Sequence, residues 1–356
     1  MDQIDRPFPS LFLTLLVVVV CLAPGRALSA EGASWTTSLN ARLLQIDADF
    51  PGELGVYVKD LRTGESVGLR EMEPWYLAST VKIAVAITLL EAVDAGQLTL
   101  DQRVELQPLD YVDGAGDTNR LTPGTDVSVR YLFEQMLIHS DNTATDVLLR
   151  LLGTDAVNVQ VARSVGFGVG RITTLADVRR YAYSEFHPSA MSLTPRGFFA
   201  IKGAGEGDAR VDALAEVLNM NRADFYVPDL DAAFERYYAT GLNSAPLDQY
   251  SGLLESVARG EVLSPASGAL LLATLTRVET GVQRVKAGLP ASVRFAHKTG
   301  TQHRRACDMG IAIPTGRVPA EGVLIAVCAR GSDDLAAAEA AMRALGDAVT
   351  ESGVLH

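Results

Sequence analysis

The chain contains few of the residues that build metal, redox or nucleic-acid sites. Its 356 residues include three cysteines and five histidines, with no CxxC pair and no HExxH spacing, so we expect no metal and no other cofactor. The net charge of −12 and the lack of a long basic run exclude a role built on neutralising nucleic-acid phosphates. The sequence also lacks any repeat at a solenoid period and any Pro-rich or Gln-rich tract.

The composition is that of an ordinary globular protein. Hydrophobic residues make up 48% of the chain and charged residues 21%. The length is sufficient for one large domain or two interlocked lobes around a sizeable core. We therefore expect a compact, enzyme-like monomer that binds a small molecule and has no nucleic-acid partner.

The N-terminal segment differs from the rest. Residues 11–23 (LFLTLLVVVVCLA) are almost all apolar, and a Pro-Gly pair ends the run. Thirteen residues are too few to span a bilayer comfortably, but they suit the apolar part of a signal peptide. We expect a signal peptide over residues 1–30, a mature chain over residues 31–356 with no membrane span, and a periplasmic or secreted location. An uncleaved anchor is the alternative, because Asp2 and Asp5 weaken the positive charge that usually precedes such a run.

Strand patterns occur at both ends of the remaining chain. Leu54–Asp60 and Glu65–Arg70 flank a turn and predict a hairpin. Three further strands are predicted at Arg294–Gln302, Ala306–Pro314 and Val323–Ala329. These segments join most simply in one five-stranded, mainly antiparallel sheet.

The middle of the chain reads as helical. Apolar periodicity predicts helices at Ser79–Ala95, Val127–Ile138 with Asp126 as its N-cap, Asn142–Leu152, Asp208–Asn219, Leu230–Thr240 and Ser264–Thr280, and a closing helix near Asp334–Glu351. The first of these has almost no polar face and should be buried. The expected class is α+β: a sheet lobe over about 34–75 and 285–356, flanked by helices, and an all-helical lobe over about 76–284. The active site would lie in the cleft between them.

Cys307 and Cys328 fall in the last two predicted strands. If these strands form a hairpin centred near residue 318, Cys307 faces about residue 329 and the two sulfurs lie close together. A disulfide and a pair of buried free thiols both fit this pattern.

Three short motifs carry the chemistry. In the first, Ser79 stands at the start of the buried helix, where free backbone N–H groups can stabilise an oxyanion, and Lys82 lies one turn deeper. An amine in so apolar a helix has its pKa lowered by desolvation, which suits a general base. The alternative is a helix-capping serine beside a lysine that reaches the surface.

The second motif, Ser140-Asp141-Asn142, falls at the break between two predicted helices. The third, Lys298-Thr299-Gly300-Thr301, falls in a predicted strand. Alone, the second motif suits an N-cap turn and the third an edge strand guarded by a lysine. All three in this order and context favour one shared site.

The three motifs together are the signature of class A β-lactamases and penicillin-binding proteins, and the sequence resembles this family from about residue 34 to the C-terminus. The resemblance implies a β-lactamase/transpeptidase-like fold and a serine that is acylated by the substrate. It implies that Ser79 is the nucleophile, that Lys82 accepts its proton, and that Ser140 passes a proton to the leaving nitrogen.

The resemblance also implies the residues that bind substrate. Asn142 would hydrogen-bond the side-chain amide, and Lys298, Thr299 and Thr301 would bind the carboxylate. The backbone N–H groups of Ser79 and Thr301 would form the oxyanion hole, and Tyr111 resembles the aromatic residue that walls such clefts.

The sequence departs from the family at the step that releases the product. Class A enzymes use a glutamate after the second motif to activate the deacylating water, but residues 170–184 contain none. Asp177 is the candidate carboxylate, and Glu185 lies further along; a helix N-cap and a solvated surface residue are the alternatives for the two. The interval from Ser140 to Lys298 is also long, with an extra helical segment at about 201–246.

Three functions are consistent with these motifs. The first is β-lactamase-type hydrolysis of the β-lactam amide, which the overall plan favours. The second is a D-alanyl-D-alanine peptidase acting on peptidoglycan stem peptides. The third is a β-lactam-binding sensor or cell-wall protein whose acyl adduct persists, because loss of a general base slows the step it serves by about 10²–10⁴-fold.

Overall fold

The computed structural model describes residues 1–2 and 34–356. The chain divides into two compact units, residues 1–32 and 33–356, and the architecture below is that of the second. The predicted signal peptide lies almost wholly outside the described residues. Within the described part of the chain, no helix combines the length and the apolar character needed to cross a membrane.

Nine strands are present in the described chain. They are β1 (Glu53–Asp60), β2 (Ser66–Leu69), β3 (Trp75–Tyr76), β4 (Arg103–Glu105), β5 (Asp126–Ser128), β6 (Ser244–Ala245), β7 (Val293–Gln302), β8 (Arg305–Pro314) and β9 (Val323–Arg330).

Fourteen α-helices accompany them. They are α1 (Trp35–Asp49), α2 (Lys82–Asp94), α3 (Val129–Ile138), α4 (Asn142–Leu152), α5 (Thr154–Val165), α6 (Leu175–Ser184), α7 (Pro195–Gly203), α8 (Asp208–Leu218), α9 (Leu230–Ala239), α10 (Leu247–Tyr250), α11 (Gly252–Ala258), α12 (Pro265–Leu275), α13 (Val285–Gly288) and α14 (Leu335–Ser352).

One five-stranded antiparallel sheet organises the unit, in the order β2-β1-β9-β8-β7. Strands from the two ends of the chain meet where β1 pairs with β9, with Val56 opposite Val327. The predicted α+β class and five-stranded sheet are therefore confirmed.

The sheet separates two apolar cores, because successive side chains of a strand point to opposite faces. Val58 and Ile325 face the core that includes the terminal helices α1 and α14. Met309 and Ala326 face the larger core that includes α2, α3 and α4. Helix α2 buries nine consecutive residues, from Lys82 to Leu90, in the second core.

A long helical segment closes back on itself beside the sheet. We call residues 170–245 the helical loop; it contains α6 to α9. At its neck, Gly170 N donates to Ser244 O at 2.7 Å, and Asn243 N donates to Arg171 O at 3.1 Å. Strand β6 then pairs with β3, so the loop returns to the chain just ahead of Ser79. A Cβ on Gly170 would lie 1.9 Å from Gly241 O, so only glycine fits this neck.

Several predicted boundaries were wrong. Asp126 lies in β5, and Ser128 is the N-cap of α3, accepting a hydrogen bond from Tyr131 N. The predicted helix from Ser79 begins as a 3₁₀ turn, Ala78–Val81, before α2. Cys307 stands opposite Cys328 rather than residue 329.

Candidate active site

Ser79 lies in the 3₁₀ turn that leads into α2. The residue before it, Ala78, has φ +47°, a conformation that costs free energy in a non-glycine residue and is held here by its surroundings. Strand β7 passes directly over this turn: a Cβ on Gly300 would lie 2.7 Å from Leu77 O and 2.9 Å from Ser79 N. Glycine is therefore required for β7 to come this close to the serine.

Lys82 is fully buried one turn after Ser79. Its Nζ contacts Ser140 O at 2.5 Å, Asn142 Oδ1 at 2.9 Å and Ser140 Oγ at 3.3 Å. Burial lowers the pKa of Lys82 to about 7, although the carboxylates of Asp141 and Asp146 oppose this shift. A neutral amine has two hydrogens and one lone pair, so it can donate to the two carbonyl oxygens and still accept a proton.

The second motif forms the turn between α3 and α4. Ser140 has φ +59°, which turns the chain so that both its carbonyl and its hydroxyl face Lys82. Asp141 caps α4 by accepting from Ala144 N at 2.8 Å, and it also accepts from Thr118 N. Asn142 donates its Nδ2 to Asp113 O at 2.8 Å, which orients its amide.

The third motif lies on the edge strand β7. Lys298 is fully buried, donates to Thr299 O at 2.9 Å, and has its pKa lowered well below the usual value by burial and then by the charge of Lys82. The hydroxyl of Thr299 is in hydrogen-bond contact with the hydroxyl of Thr280. A bound anion would stabilise the charged form of such a buried lysine.

Arg284 holds this end of the site and has no signal in the sequence. Its side chain is buried and donates to Gly300 O at 2.9 Å, Cys307 O at 2.8 Å and Thr301 Oγ1 at 2.6 Å. Glu339 of α14 pairs with its Nε at 3.2 Å. The guanidinium therefore fixes the backbone and hydroxyl of the motif strand.

A disulfide joins β8 and β9, the two strands that follow β7 in the order of the sheet. Cys307 of β8 and Cys328 of β9 are directly opposite each other and bonded through their sulfurs. Of the two possibilities left open by the sequence, the structure contains the disulfide.

One cavity of about 380 Å³ brings the motifs together. It is lined by Ser79, Gly114, Ala115, Ser140, Asn142, Arg179, Lys202, Glu206, Arg210, Thr280, Thr299, Thr301, Gln302 and His303. Lys82 and Lys298 lie buried beneath this lining. The serine is partly exposed to the cavity, as a nucleophile must be.

Besides the two buried lysines, two further sequence-predicted residues, Tyr111 and Asp177, are not among those that line the cavity. Tyr111 is buried and donates its hydroxyl to Leu121 O at 2.7 Å. Asp177 lies in the first turn of α6 and binds Arg180 at 2.8 Å.

The sequence reasoning missed Asp146, which lies one turn after Asn142 on α4. Its carboxylate is buried and accepts from Leu175 N at 2.7 Å and Ala176 N at 2.9 Å, at the start of α6. Burial raises the pKa of Asp146 to about 7. The spacing of four residues from Asn142 was the available signal, because it places the two side chains on one helix face.

The helical loop supplies a cationic wall to the cavity. Arg179 of α6 pairs with the buried Asp113 at 2.7 Å. Lys202 and Arg210 both pair with Glu206, at 2.7 Å and 2.5 Å. Among the residues that line the cavity, Glu206 is the one that carries a carboxylate.

A partly exposed serine one turn before a buried amine of lowered pKa, with a second serine in contact with that amine and a second buried lysine in β7, defines a serine hydrolase that works through an acyl-enzyme. The sequence model of the Beta-lactamase enzyme family matches residues 38–352, so the chain belongs to this family. The class A β-lactamase-like serine hydrolase predicted from the motifs is confirmed.

Individual relatives agree with the family assignment. The chain is 26% identical to the carbapenem-hydrolyzing beta-lactamase KPC of Klebsiella oxytoca, over 88% of this chain and 88% of that protein. It is 33% identical to beta-lactamase L2 of Stenotrophomonas maltophilia, over 40% of this chain and about half, 48%, of that protein. A solved ancestral class A beta-lactamase superposes with a TM-score of 0.64 and 26% identity, covering 88% of this chain and 99% of that one.

Proposed function

We propose that this protein hydrolyses the β-lactam amide through an acyl-enzyme on Ser79. Lys82 in its neutral form takes the proton from the Ser79 hydroxyl, and the deprotonated oxygen attacks the lactam carbonyl. Ser140 then passes a proton from the amine to the leaving nitrogen as the lactam C–N bond breaks. Water finally hydrolyses the Ser79 ester, which releases the opened product and restores the serine. The carboxylate next to the lactam ring binds Lys298, Thr299 and Thr301, and Asn142 binds the amide of the acyl side chain.

One observation carries this proposal: the amine of Lys82 is held in contact with Ser140 beneath a cavity that also exposes Ser79. A buried amine with a pKa of about 7 is half neutral at pH 7, so it can accept a proton without first losing one to bulk water. Its contact with Ser140 Oγ at 3.3 Å gives that proton a route to the leaving group. No metal or cofactor takes part in this sequence of steps.

The backbone supports the same assignment at the reacting carbonyl. The close approach of β7 at Gly300 brings the strand beside the N–H of Ser79. The N–H groups of Ser79 and Thr301 then form the oxyanion hole, where donors fixed in advance stabilise the developing charge. Arg284 keeps Thr301 in place through its hydroxyl.

The protein acts as a monomer in the periplasm or after secretion. The apolar run over residues 11–23 supports export. A disulfide such as Cys307–Cys328 persists in an oxidising compartment.

A covalent trap is the second candidate, and the composition of the cavity wall favours it. Glu206 is the one carboxylate among the lining residues, and two cations pair with it. Burial raises the pKa of its carboxyl, but the paired Lys202 and Arg210 lower that pKa by more, so the net shift is downward. A carboxylate so paired is a weak base. If no other group activates water, the acyl-enzyme on Ser79 persists, as in a β-lactam sensor or a peptidase that reacts with penicillin.

The test is a time course with a chromogenic cephalosporin, followed by absorbance and by intact mass. Sustained turnover with no accumulated adduct supports hydrolysis. A burst of one equivalent with a stable adduct on Ser79 supports the trap, and release of D-alanine from a stem peptide would then identify a peptidase. Ser79→Ala is the control and should abolish adduct, burst and turnover; any of these surviving in that variant contradicts the assignment of the nucleophile.

A further inference from the structure

The cationic wall of the cavity lies next to the position assigned to the substrate's acyl side chain. Gly114 marks the point of contact: a Cβ placed there would lie 2.7 Å from Asn142 Nδ2 and 3.5 Å from Arg179 Nη2. The amide that binds the substrate side chain and the end of the Arg179 guanidinium therefore flank one small space. With Asn142 bound to the side-chain amide of the substrate as proposed, a group on the carbon next to that amide would lie near Arg179.

The charges of this wall do not cancel. Arg179, Lys202 and Arg210 are three cations, and Asp113 and Glu206 are the two carboxylates that pair with them. One positive charge is left over. Asp113 is 4% exposed and is not among the residues that line the cavity, so it offers nothing to a ligand there.

Glu206 differs from Asp113 because it is easily displaced. Its side chain is 67% exposed, and it lies between Gly205 and Gly207, which both have positive φ. Lys202 is 44% exposed, whereas the Arg210 side chain is 8% exposed. A carboxylate arriving in the cavity can therefore replace that of Glu206 on Lys202 at little cost in desolvation, because both of these side chains are exposed.

We propose that this wall is a second anion subsite, which selects substrates with a carboxylate on the acyl side chain in addition to the one bound at Lys298. The inference rests on the proposed acylation of Ser79 by β-lactams. It assigns the specificity to the helical loop, which carries Arg179, Lys202 and Arg210, and not to the three motifs. Glu206 occupies the subsite when no such substrate is bound.

The test compares two penicillins that differ in one group: benzylpenicillin and its α-carboxybenzyl analogue. The second-order rate of Ser79 acylation is measured for each by intact mass, and the ratio of the two rates is the readout. In Lys202→Gln the rate with the carboxylated penicillin divided by the rate with benzylpenicillin should fall about two- to fivefold, which is the effect of one exposed ion pair. In Glu206→Gln it should rise by a similar factor, because the competing carboxylate is gone.

Opposite changes from two residues four positions apart would not arise from a general disturbance of the loop. Arg196→Gln is the matched control: Arg196 is exposed on the same helix as Lys202 and does not line this cavity, so the ratio should stay constant. The wild-type ratio should also fall as salt is added, because screening weakens exposed charges.

The outcomes separate this inference from the function on which it rests. Acylation by both penicillins with a ratio that neither Lys202→Gln nor Glu206→Gln changes would overturn the subsite alone. Failure of both penicillins to label Ser79 would overturn the proposed function and the subsite together.

Discussion

Lys82 Nζ lies 3.3 Å from Ser140 Oγ, and the same amine contacts the Ser140 carbonyl at 2.5 Å. The two residues are 58 positions apart, on α2 and on the turn before α4. One side chain thus joins the nucleophile helix to the second motif, and its protonation state controls both ends of the proposed proton route.

The rate of Ser79 acylation should rise with pH through the pKa of Lys82. The neutral amine is the active form, so activity is low below pH 7 and levels off above it. Between pH 6 and pH 8 the neutral fraction, and with it the acylation rate, rises about tenfold. A pH series of single-turnover acylation measures this directly.

Two substitutions test the same residue. Lys82→Met removes the base and should slow acylation about 10²–10⁴-fold with a flat pH profile. Lys82→Arg keeps the charge but cannot become neutral in this pH range, so it should be equally slow. An arginine variant that retains wild-type acylation would contradict the role of Lys82 as a base.

Asp146 should make the protein's stability fall as pH rises from about 4 to about 7. Folding raises the pKa of Asp146, so between about pH 4 and pH 7 the native state holds a proton that the unfolded chain has lost. The contribution of this group to the free energy of unfolding is therefore fully present below the unfolded pKa and is lost as the pH rises toward 7. Asp146→Asn removes this dependence, which amounts to at most about 1.4 kcal/mol per pH unit. Urea unfolding at several pH values compares the two proteins; Asp101→Asn, at a side chain 90% exposed, is the control. If the free energy of unfolding depended on pH in the same way in wild type and in Asp146→Asn, the buried carboxyl would not be protonated on folding.

Gly300→Ala should damage acylation. The added Cβ would press on Leu77 O and Ser79 N and push β7 away from the nucleophile turn. A displacement of this order in a reacting geometry costs about 10²-fold in rate. Gly203→Ala, where the new Cβ meets nothing within 4 Å, is the matched control. Equal acylation rates for the two variants would show that the close approach has no catalytic importance.

Asp177→Asn should leave both acylation and steady-state turnover within about twofold of wild type, since the partly buried ion pair that it forms with Arg180 within one helix contributes little. The carboxylate binds Arg180 and is not part of the cavity lining. Turnover of a chromogenic cephalosporin and the lifetime of the Ser79 adduct measure the two steps. Slower deacylation with unchanged acylation would support the sequence-based role of Asp177 instead.

Removing the disulfide should cost stability without touching the catalytic groups. The Cys307–Cys328 bond closes a loop of 21 residues, for which the loss on removal is about 3 kcal/mol. Chemical unfolding of the Cys307→Ser/Cys328→Ser variant measures this loss. Reduction of the unfolded wild type should expose two additional thiols to alkylation, and an unchanged thiol count would exclude the bond.

The sequence was sufficient for the sheet and the three motifs because their signals are local. Alternating and β-branched residues marked β1, β8 and β9, and the residue types around Ser79, Ser140 and Lys298 gave the site its chemistry. Helix α6 was not predicted, since its two arginines and its tyrosines obscure an apolar stripe that becomes visible only against α4 and α9.

The residues that surround the motifs could not be predicted, because they act through distant partners. Arg284 comes from an irregular stretch and meets β7 and β8 only in the folded chain. Arg179 reaches the cavity because Asp146 fixes the start of α6, and nothing in the local sequence of either residue indicates this contact. Asp177 was a reasonable candidate by position along the chain, but its side chain points to Arg180.

The narrow neck at Gly170 and Ser244 has a consequence for how such a protein can change. The two ends of the helical loop are held together by backbone hydrogen bonds, and β6 pairs with β3. The residues between these ends therefore form a cassette, a segment that can be lengthened, shortened or exchanged without moving the ends. The acylating serine and its amine lie outside the cassette, so substrate preference can diversify there while the reaction itself is inherited unchanged.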